Sequence, residues 1–178
     1  MYRQIIDFWF KEIEPSQWWK KDDEFDQYIR ARFIGVYNQA IQGELFTWRR
    51  HSQGRLAEII ILDQFSRNMF RDKPQAFSQD NMALVLAQEA VAAGVDNELT
   101  PIQNSFLYMP FMHSESKLLH NIAEKLYRQN GIENNLDFEL RHKAIIERFG
   151  RYPHRNDILG RESTEEEIDF LKQAGSSF

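Results

Sequence analysis

The sequence predicts an all-α protein, and three observations support this fold class. Apolar residues recur at helical spacing, as Phe25, Ile29, Phe33 and Tyr37 do within one segment. Glycine and proline interrupt the chain at intervals typical of helix lengths. No stretch combines strand-like alternation with hairpin turns. A chain of 178 residues suffices for one core, so we expect a single helical domain over residues 1–178, built of antiparallel helix pairs joined by short loops.

Prolines, glycines and a capping residue predict the bounds of the first four helices. The first covers about residues 2–12 and ends before Pro15, and the second runs from about residue 23 to 42, before Gly43. Ser52 is a predicted N-cap for the third helix, which extends to about residue 70. The fourth helix begins near Pro74 and ends at Gly94.

The second half of the chain contains further capping signals. Thr100 and Pro101 fit the N-cap and the first position of a helix. Pro110 is predicted to divide this region into a short piece and a longer helix that ends at Gly131. Another helix covers about residues 136–149. Thr164, followed by three glutamates, predicts the start of a last helix that runs to about residue 173.

Composition limits the location and the partners of the chain. Its 22 basic and 27 acidic side chains give a formal charge of −5, which argues against nucleic acid or an anionic membrane as a partner. The chain has no cysteine, which excludes disulfides and thiolate metal sites. The N-terminal residues lack the features of a signal peptide, and no segment reaches the ~20 apolar residues of a membrane span. We therefore expect a soluble protein of the cytoplasm.

Two charged side chains interrupt the apolar face of the third helix. Asp63 and Arg67 fall within an arc that contains Leu56, Ile59 and Ile60. They are four residues apart with the acid first, the favourable order for a helix ion pair. Because apolar residues also cover the opposite side, we expect this helix to be central and buried. The two charges then either satisfy each other or form half of a polar cavity.

Histidines and a glutamate interrupt two later helices. His142 occupies the i+4 position of an apolar stripe in the helix over 136–149. His113 and Glu115 stand at the start of the helix near residues 115–128, whose predicted apolar stripe is Leu118, Leu119, Ile122 and Leu126. His120 lies beside polar residues, which predicts a solvated surface. A lone histidine on an apolar face fits a satisfied core residue, whereas three interrupted helices favour a shared polar centre.

An arginine-rich segment follows the helix over 136–149. Between Arg148 and Arg161, four arginines accompany a single acid, Asp157. Arginine forks suit bidentate recognition of carboxylate or phosphate, so this segment is a candidate anion site. The alternative is internal pairing with Asp63, Glu115 and the acidic start of the last helix.

Three blocks of the sequence resemble a known family. They are residues 62–68 (LDQFSRN), 108–115 (YMPFMHSE) and 148–156 (RFGRYPHRN), with 159–163 (LGRES) after the last. In this order they resemble the signature of the bacterial domain-of-unknown-function family 924, and the resemblance covers essentially the whole chain. It implies a fold similar to tetratricopeptide-repeat proteins, with helix pairs in a right-handed stack. It implies no activity.

Two functions fit these features. The preferred one is a binding module that recognises a small anionic ligand or an acidic peptide through an Arg/His/Asp cluster, with no cofactor and no metal. The other is an enzyme that acts on a small polar anionic substrate with histidine and glutamate as acid and base, although the chain lacks a recognised nucleophile or phosphate-loop motif. Nucleic-acid binding is disfavoured by the net charge. The candidate ligand-binding residues are Asp63, Arg67, Asn68, His113, Glu115, His142, Arg148, Arg151, His154, Arg155, Asn156 and Arg161.

Overall fold

The structure, a computed structural model, describes residues 1–177. These residues form eight α-helices joined by loops and short 3-10 helices. No β-strand occurs within these residues, so the all-α prediction is confirmed. Two helices contain a turn with π-helical hydrogen bonds. The helices are α1 (Tyr2–Asp7, continued by a π turn over Phe8–Glu12), α2 (Asp23–Ile41), α3 (Ser52–Ile60, continued by a π turn over Ile61–Phe65 and a last α turn over Ser66–Met69), α4 (Asp80–Ala92), α5 (Pro101–Met112), α6 (Lys117–Asn130), α7 (Glu133–Phe149) and α8 (Glu165–Leu171).

Helix α3 lies at the centre of the molecule. Every residue from Leu56 to Phe65 is buried, and the helix packs against α1, α2, α4 and α5. The predicted central position of this helix is therefore confirmed. Charged residues on α3 are consequently surrounded by protein, and each needs a partner within the fold.

Aromatic rings build the core on one side of α3. The ring of Phe33 lies 4.8 Å from that of Phe8 and 5.0 Å from that of Phe65, measured between centroids. Trp9 meets Phe106 of α5 edge to face at 5.7 Å. Tilted and edge-to-face ring contacts stabilise the fold by more than the burial of their apolar area alone. These rings fix α1 and α2 against the centre of the protein.

Two predicted N-caps are present at the starts of α5 and α8. The hydroxyl of Thr100 accepts from the backbone N–H of Gln103, whose side chain accepts from the N–H of Thr100. Thr164 and Glu167 form the same reciprocal pair. Each arrangement satisfies backbone N–H groups that have no partner inside the helix.

The prediction that Pro110 divides the following region is wrong. Helix α5 continues through Pro110 to Met112, and the chain breaks instead at Ser116, the N-cap of α6. Pro110 lies in the last turn of α5, so it removes only one hydrogen bond near the helix end. Its neighbours Phe106 and Phe111 are buried and hold this turn in place.

The predicted apolar stripe of α6 is wrong at Leu118 and Ile122, which are 68% and 37% exposed. The prediction of a solvated surface around His120 is also wrong. His120 is fully buried together with Ala123 and Tyr127. Its Nε2 donates to the carbonyl of Ser114 at 2.9 Å, and its Nδ1 lies 2.8 Å from Oε1 of Glu139 on α7. The His120 ring can be buried because both of its nitrogens have hydrogen-bond partners. The residues next to His120 in the sequence do not reveal these partners.

Helices α5, α6 and α7 pack in succession, and α7 also contacts α5. After α7 the chain returns through a short 3-10 helix, Pro153–Arg155, against which α8 packs. The right-handed tetratricopeptide-like stack stays a prediction. Within residues 1–177, no helix has both the length and the apolar character needed to cross a lipid bilayer.

Candidate functional site

A cavity of about 710 Å³ opens between the end of α3, helices α5 and α7, and the segment after α7. Six predicted site residues line it: Arg67, Asn68, His113, His142, His154 and Arg155. Asp63 lies directly behind the wall and is 1% exposed. All seven were predicted site residues, and the structure brings them together. A cavity of this size suits a small molecule.

Asp63 joins α3 to the end of α5. Its Oδ1 lies 2.7 Å from Nδ1 of His113 and 3.2 Å from Nη1 of Arg67. Its Oδ2 accepts a hydrogen bond of 2.6 Å from Nε2 of Gln64. Both carboxylate oxygens are therefore bound by protein groups, as a buried charge requires.

The ionisation of Asp63 determines the tautomer of His113. Burial favours the neutral acid, but Arg67 and His113 outweigh this effect and hold the pKa of Asp63 below its ordinary value. Burial and the charge of Arg67 also lower the pKa of His113, against the opposing effect of Asp63. The pair at neutral pH is thus a carboxylate and a neutral imidazole. Because a carboxylate only accepts hydrogen bonds, Nδ1 carries the ring proton and Nε2 carries a lone pair.

Asp80 of α4, which was not among the predicted site residues, binds two arginines of the wall. Its oxygens accept from Nη1 and Nη2 of Arg67 at 2.9 and 3.0 Å. Nη1 of Arg155 is 3.4 Å from Oδ2, near the outer limit for a hydrogen bond. Arg67 is therefore held by two carboxylates, Asp63 and Asp80, whereas Arg155 has one long contact.

Arg155 is a buried guanidinium between two aromatic rings. Its central carbon lies 4.8 Å from the ring centre of Phe77 and 4.5 Å from that of Tyr152. Its Nε is buried and has no hydrogen-bond partner within residues 1–177. Burial and the nearby Arg67 lower the pKa of Arg155, but an arginine remains protonated at neutral pH. Its charge is thus only partly compensated by the described part of the chain.

Two histidines complete the inner wall. Nδ1 of His142 donates to the carbonyl of Phe138, one turn earlier on α7, at 2.7 Å. The ring of His154 lies 5.5 Å from that of Tyr152. Burial, the largest cause in each case, lowers the pKa of His142 to about 3 and that of His154 to about 4. Both side chains are therefore neutral at physiological pH.

Basic side chains outnumber acidic ones on the cavity surface. Of the described residues that line it, one is acidic, Asp72, and five are Lys or Arg: Lys20, Lys21, Arg67, Arg71 and Arg155. Several acidic partners of these cations lie behind them, as Asp26 does where it binds both Asn68 and Arg71. The arrangement directs positive charge into the cavity and negative charge away from it.

Aromatic residues that the sequence analysis did not select form the outer wall. Trp19 and Phe138 stack with 11° between their planes, and both are about half exposed. Trp18 is anchored by a hydrogen bond of 2.9 Å from its Nε1 to the carbonyl of Trp9. Two adjacent tryptophans followed by two lysines in a loop were the sequence signal for this wall.

The remaining loop arginines lie outside the cavity and pair internally. Arg148 binds Glu166 and Arg151 binds Glu167, with N–O distances of 2.9 and 2.7 Å. Both acids belong to the first turn of α8. These contacts match the alternative interpretation of the arginine-rich segment, in which its arginines pair with the acidic start of the last helix. Arg148 and Arg151 do not line the cavity, so the structure does not support them as ligand-binding residues.

Glu115, Asn156 and Arg161 also form an internal network. Arg161 binds Glu115 through two hydrogen bonds of 2.7 and 2.9 Å, and its Nε donates to Oδ1 of Asn156 at 3.0 Å. Asn156 is fully buried. Glu115 lines a second pocket of about 250 Å³, which shares Phe77, His113 and Arg155 with the larger cavity. These three predicted residues hold the loop in place instead of facing the main cavity.

Within residues 1–177, no group of three His, Cys, Asp or Glu side chains is arranged to hold a metal ion. The fold and the cavity define a small all-helical protein with an ion-paired, aromatic-walled cavity. Residues 5–175 match the family described as bacterial protein of unknown function, DUF924, and the chain belongs to this family. A solved structure of a protein of unknown function from Agrobacterium tumefaciens is similar, with a TM-score of 0.92, 36% identity and 96% of each chain covered. A comparison with curated proteins found no match.

Proposed function

We propose that this protein binds a small organic carboxylate in the 710 Å³ cavity. The observation that carries the proposal is Arg155, a buried guanidinium whose one contact to a carboxylate in residues 1–177 is 3.4 Å long. A buried charge with incomplete pairing is unfavourable, and an anionic ligand would remove that penalty. We also propose that the protein is located in the cytoplasm, as expected from its sequence.

The local charges favour a ligand with a single negative charge. Arg67 binds Asp63 and Asp80, and Arg71 binds Asp26, which leaves Arg155 as the guanidinium of the described cavity wall with the weakest pairing. A carboxylate carries one charge and matches one guanidinium fork. A phosphate monoester carries about −1.5 to −2 at neutral pH and would need further charged donors. Carboxylate is therefore the better match.

The walls favour a compact ligand with an apolar or aromatic body. Trp18, Phe138, Met109 and Met112 line the cavity and offer apolar contact area. Aromatic rings stack favourably on a planar ligand. The volume is that of a small-molecule site, which supports a metabolite-sized anion over the acidic peptide also considered from the sequence.

Calorimetric titration with 4-hydroxybenzoate and its neutral isostere 4-hydroxybenzamide tests the proposal. The two probes share a ring and differ in charge, so the affinity difference reports on Arg155. A hydrogen bond to a charged group contributes about 1.5–3 kcal/mol, so we expect the benzoate to bind at least about tenfold more tightly. The Arg155→Met variant should lose this preference.

Arg151→Met is the matched control, because Arg151 belongs to the same segment but pairs with Glu167 outside the cavity. We expect its affinity for 4-hydroxybenzoate to equal that of the unmodified protein. Equal binding of the benzoate and the benzamide, or an equal loss of affinity in both variants, would contradict the proposal.

A further inference from the structure

Nε2 of His113 carries a basic lone pair, and the ring that bears it is held in place by a buried carboxylate. Asp63 fixes the ring through Nδ1 at 2.7 Å, and within residues 1–177 no group makes a hydrogen bond to Nε2. His113 lines both the cavity and the smaller pocket, as does Arg155. A ligand carboxylate on Arg155 therefore lies in a space that His113 also borders.

A purely structural pair would not need this arrangement. Asp63 already has Arg67 at Oδ1 and Gln64 at Oδ2, so both of its oxygens have a partner without His113. A carboxylate that orients an imidazole and stabilises its protonated form is the arrangement by which enzymes hold a general base. A neutral histidine with an open Nε2 is ready to accept a proton at neutral pH.

The absence of a side-chain nucleophile limits the reaction type. Within the described residues no hydroxyl makes a hydrogen bond to His113, and the chain has no cysteine. The hydroxyl of Tyr152, on the same wall, donates to the carbonyl of Met112 at 2.5 Å. No side chain of the described residues therefore supplies a proton to Nε2, which leaves water or the ligand itself as the donor, and we consider the activation of water. A weak base such as imidazole suits this step, because the proton of water becomes more acidic as its oxygen bonds to carbon.

We propose that His113 is a catalytic general base that activates water to hydrolyse an ester bond in the bound carboxylate, an inference that rests on the proposed binding function. The water oxygen forms a bond to the ester carbonyl carbon while its proton moves to Nε2. The resulting imidazolium, stabilised by Asp63, then gives this proton to the leaving oxygen as the carbon–oxygen bond breaks. One ester and one water become one acid and one alcohol, and His113 returns to its neutral form. Asp63 acts as a positioning residue.

The probe for this activity is 4-acetoxybenzoate, whose hydrolysis releases 4-hydroxybenzoate, with 4-acetoxybenzamide as the neutral comparison. We expect turnover of the anionic ester above the rate in buffer and a lower rate with the amide. His113→Gln should lower turnover by about 100-fold or more, the range for loss of a general base. The same variant should still bind 4-hydroxybenzoate, since Arg155 is unchanged.

The outcomes separate this inference from the proposed binding function. Binding of 4-hydroxybenzoate without turnover of the ester by the unmodified protein overturns the hydrolytic role and leaves the binding proposal standing. Turnover that survives in His113→Gln overturns the role of His113. Failure of 4-hydroxybenzoate to bind overturns the proposed function itself.

Two measurements do not depend on the folding of His113→Gln. In the unmodified protein, iodoacetate should carboxymethylate His113 faster than the exposed His51, and no cysteine competes for the reagent. Neutral iodoacetamide should show a smaller preference for His113, because it lacks the charge that Arg155 attracts. Absence of modification at His113 overturns the proposal.

The second measurement reports on Asp63. Nitrogen NMR shifts of the imidazole ring distinguish its two neutral tautomers. Asp63→Asn keeps an amide oxygen for Arg67 and for the N–H at Nδ1 but removes the charge that stabilises the imidazolium, so we expect the Nδ1–H tautomer to persist and turnover to fall. A ring proton on Nε2 in the unmodified protein, or full turnover in Asp63→Asn, contradicts the positioning role.

Discussion

The guanidinium of Arg67 on α3 binds both carboxylate oxygens of Asp80 on α4, at 2.9 and 3.0 Å. The same side chain also binds Asp63 one turn earlier on its own helix. One arginine thus joins the central helix to its neighbour and supports the wall of the cavity. Without the Arg67 side chain, Asp63 and Asp80 lose the guanidinium that binds both of them.

We therefore expect Arg67→Ala to lower the free energy of unfolding by about 3–5 kcal/mol, the range for breaking a buried ion pair. Urea unfolding followed by circular dichroism measures this change. Arg128→Ala is the control, since Arg128 pairs with Glu124 at the surface and is 61% exposed. Its loss should change stability by about 1 kcal/mol or less. Similar effects of the two substitutions would argue against a structural role for the Arg67 network.

The N-cap of α5 gives a second prediction. Thr100 accepts a hydrogen bond from the N–H of Gln103, so Thr100→Ala should lower the free energy of unfolding by about 1 kcal/mol. Ser116 is the N-cap of α6 but makes no side-chain capping hydrogen bond. Ser116→Ala should therefore change stability by no more than about 0.5 kcal/mol. Thermal unfolding of the two variants side by side decides whether the capping bond is the relevant difference.

Two helical glycines have opposite expected responses to alanine. A Cβ atom on Gly54 would lie 2.1 Å from the backbone oxygen of Trp48, so Gly54→Ala must shift backbone and should destabilise by about 1–3 kcal/mol or more. A Cβ atom on Gly35 of α2 would meet nothing within 4 Å. Gly35→Ala should stabilise by about 0.5–1 kcal/mol, because alanine favours a helix over glycine. Unfolding midpoints that move in the same direction would contradict this contrast.

The buried histidines predict a pH dependence of stability. Burial lowers the pKa of His142 to about 3, whereas an unfolded histidine titrates near 6.5. Below about pH 6.5 the unfolded chain binds a proton that the folded chain does not, so stability falls as the pH is lowered. His142→Gln should reduce the slope of unfolding free energy between about pH 6.5 and 4.5, and His51→Gln is the control for loss of one histidine. A slope unchanged by His142→Gln would contradict the assignment.

Local signals in the sequence predicted the starts of α5 and α8, because a capping box depends on residues three positions apart. Thr100 with Gln103 and Thr164 with Glu167 are of this kind. The prediction of Ser52 as an N-cap is wrong, since Ser52 is the first residue of α3 and His51 precedes it as the N-cap. The effect of Pro110 was not predictable in the same way. Whether a proline ends a helix depends on what packs around it, and Pro110 is enclosed by buried neighbours from other parts of the fold.

The candidate site was predictable where a helix pattern placed a charge among apolar residues. Asp63, Arg67 and His142 were selected on that basis, and all three lie at the cavity or directly behind it. The acid that each arginine binds was not predictable, because these pairs join segments that are distant in the sequence. Asp80 reaches Arg155 across 75 positions, and nothing near Arg161 in sequence indicates Glu115 as its partner.

The indole rings at the cavity mouth have a practical consequence. The chain contains four tryptophans, and two of them, Trp18 and Trp19, line the cavity. Indole emission responds to the polarity and the contacts of its surroundings, so a molecule that enters replaces water beside these rings and alters the fluorescence. The protein thus carries its own optical reporter of occupancy, and an unlabelled sample in a cuvette is sufficient to follow binding in real time.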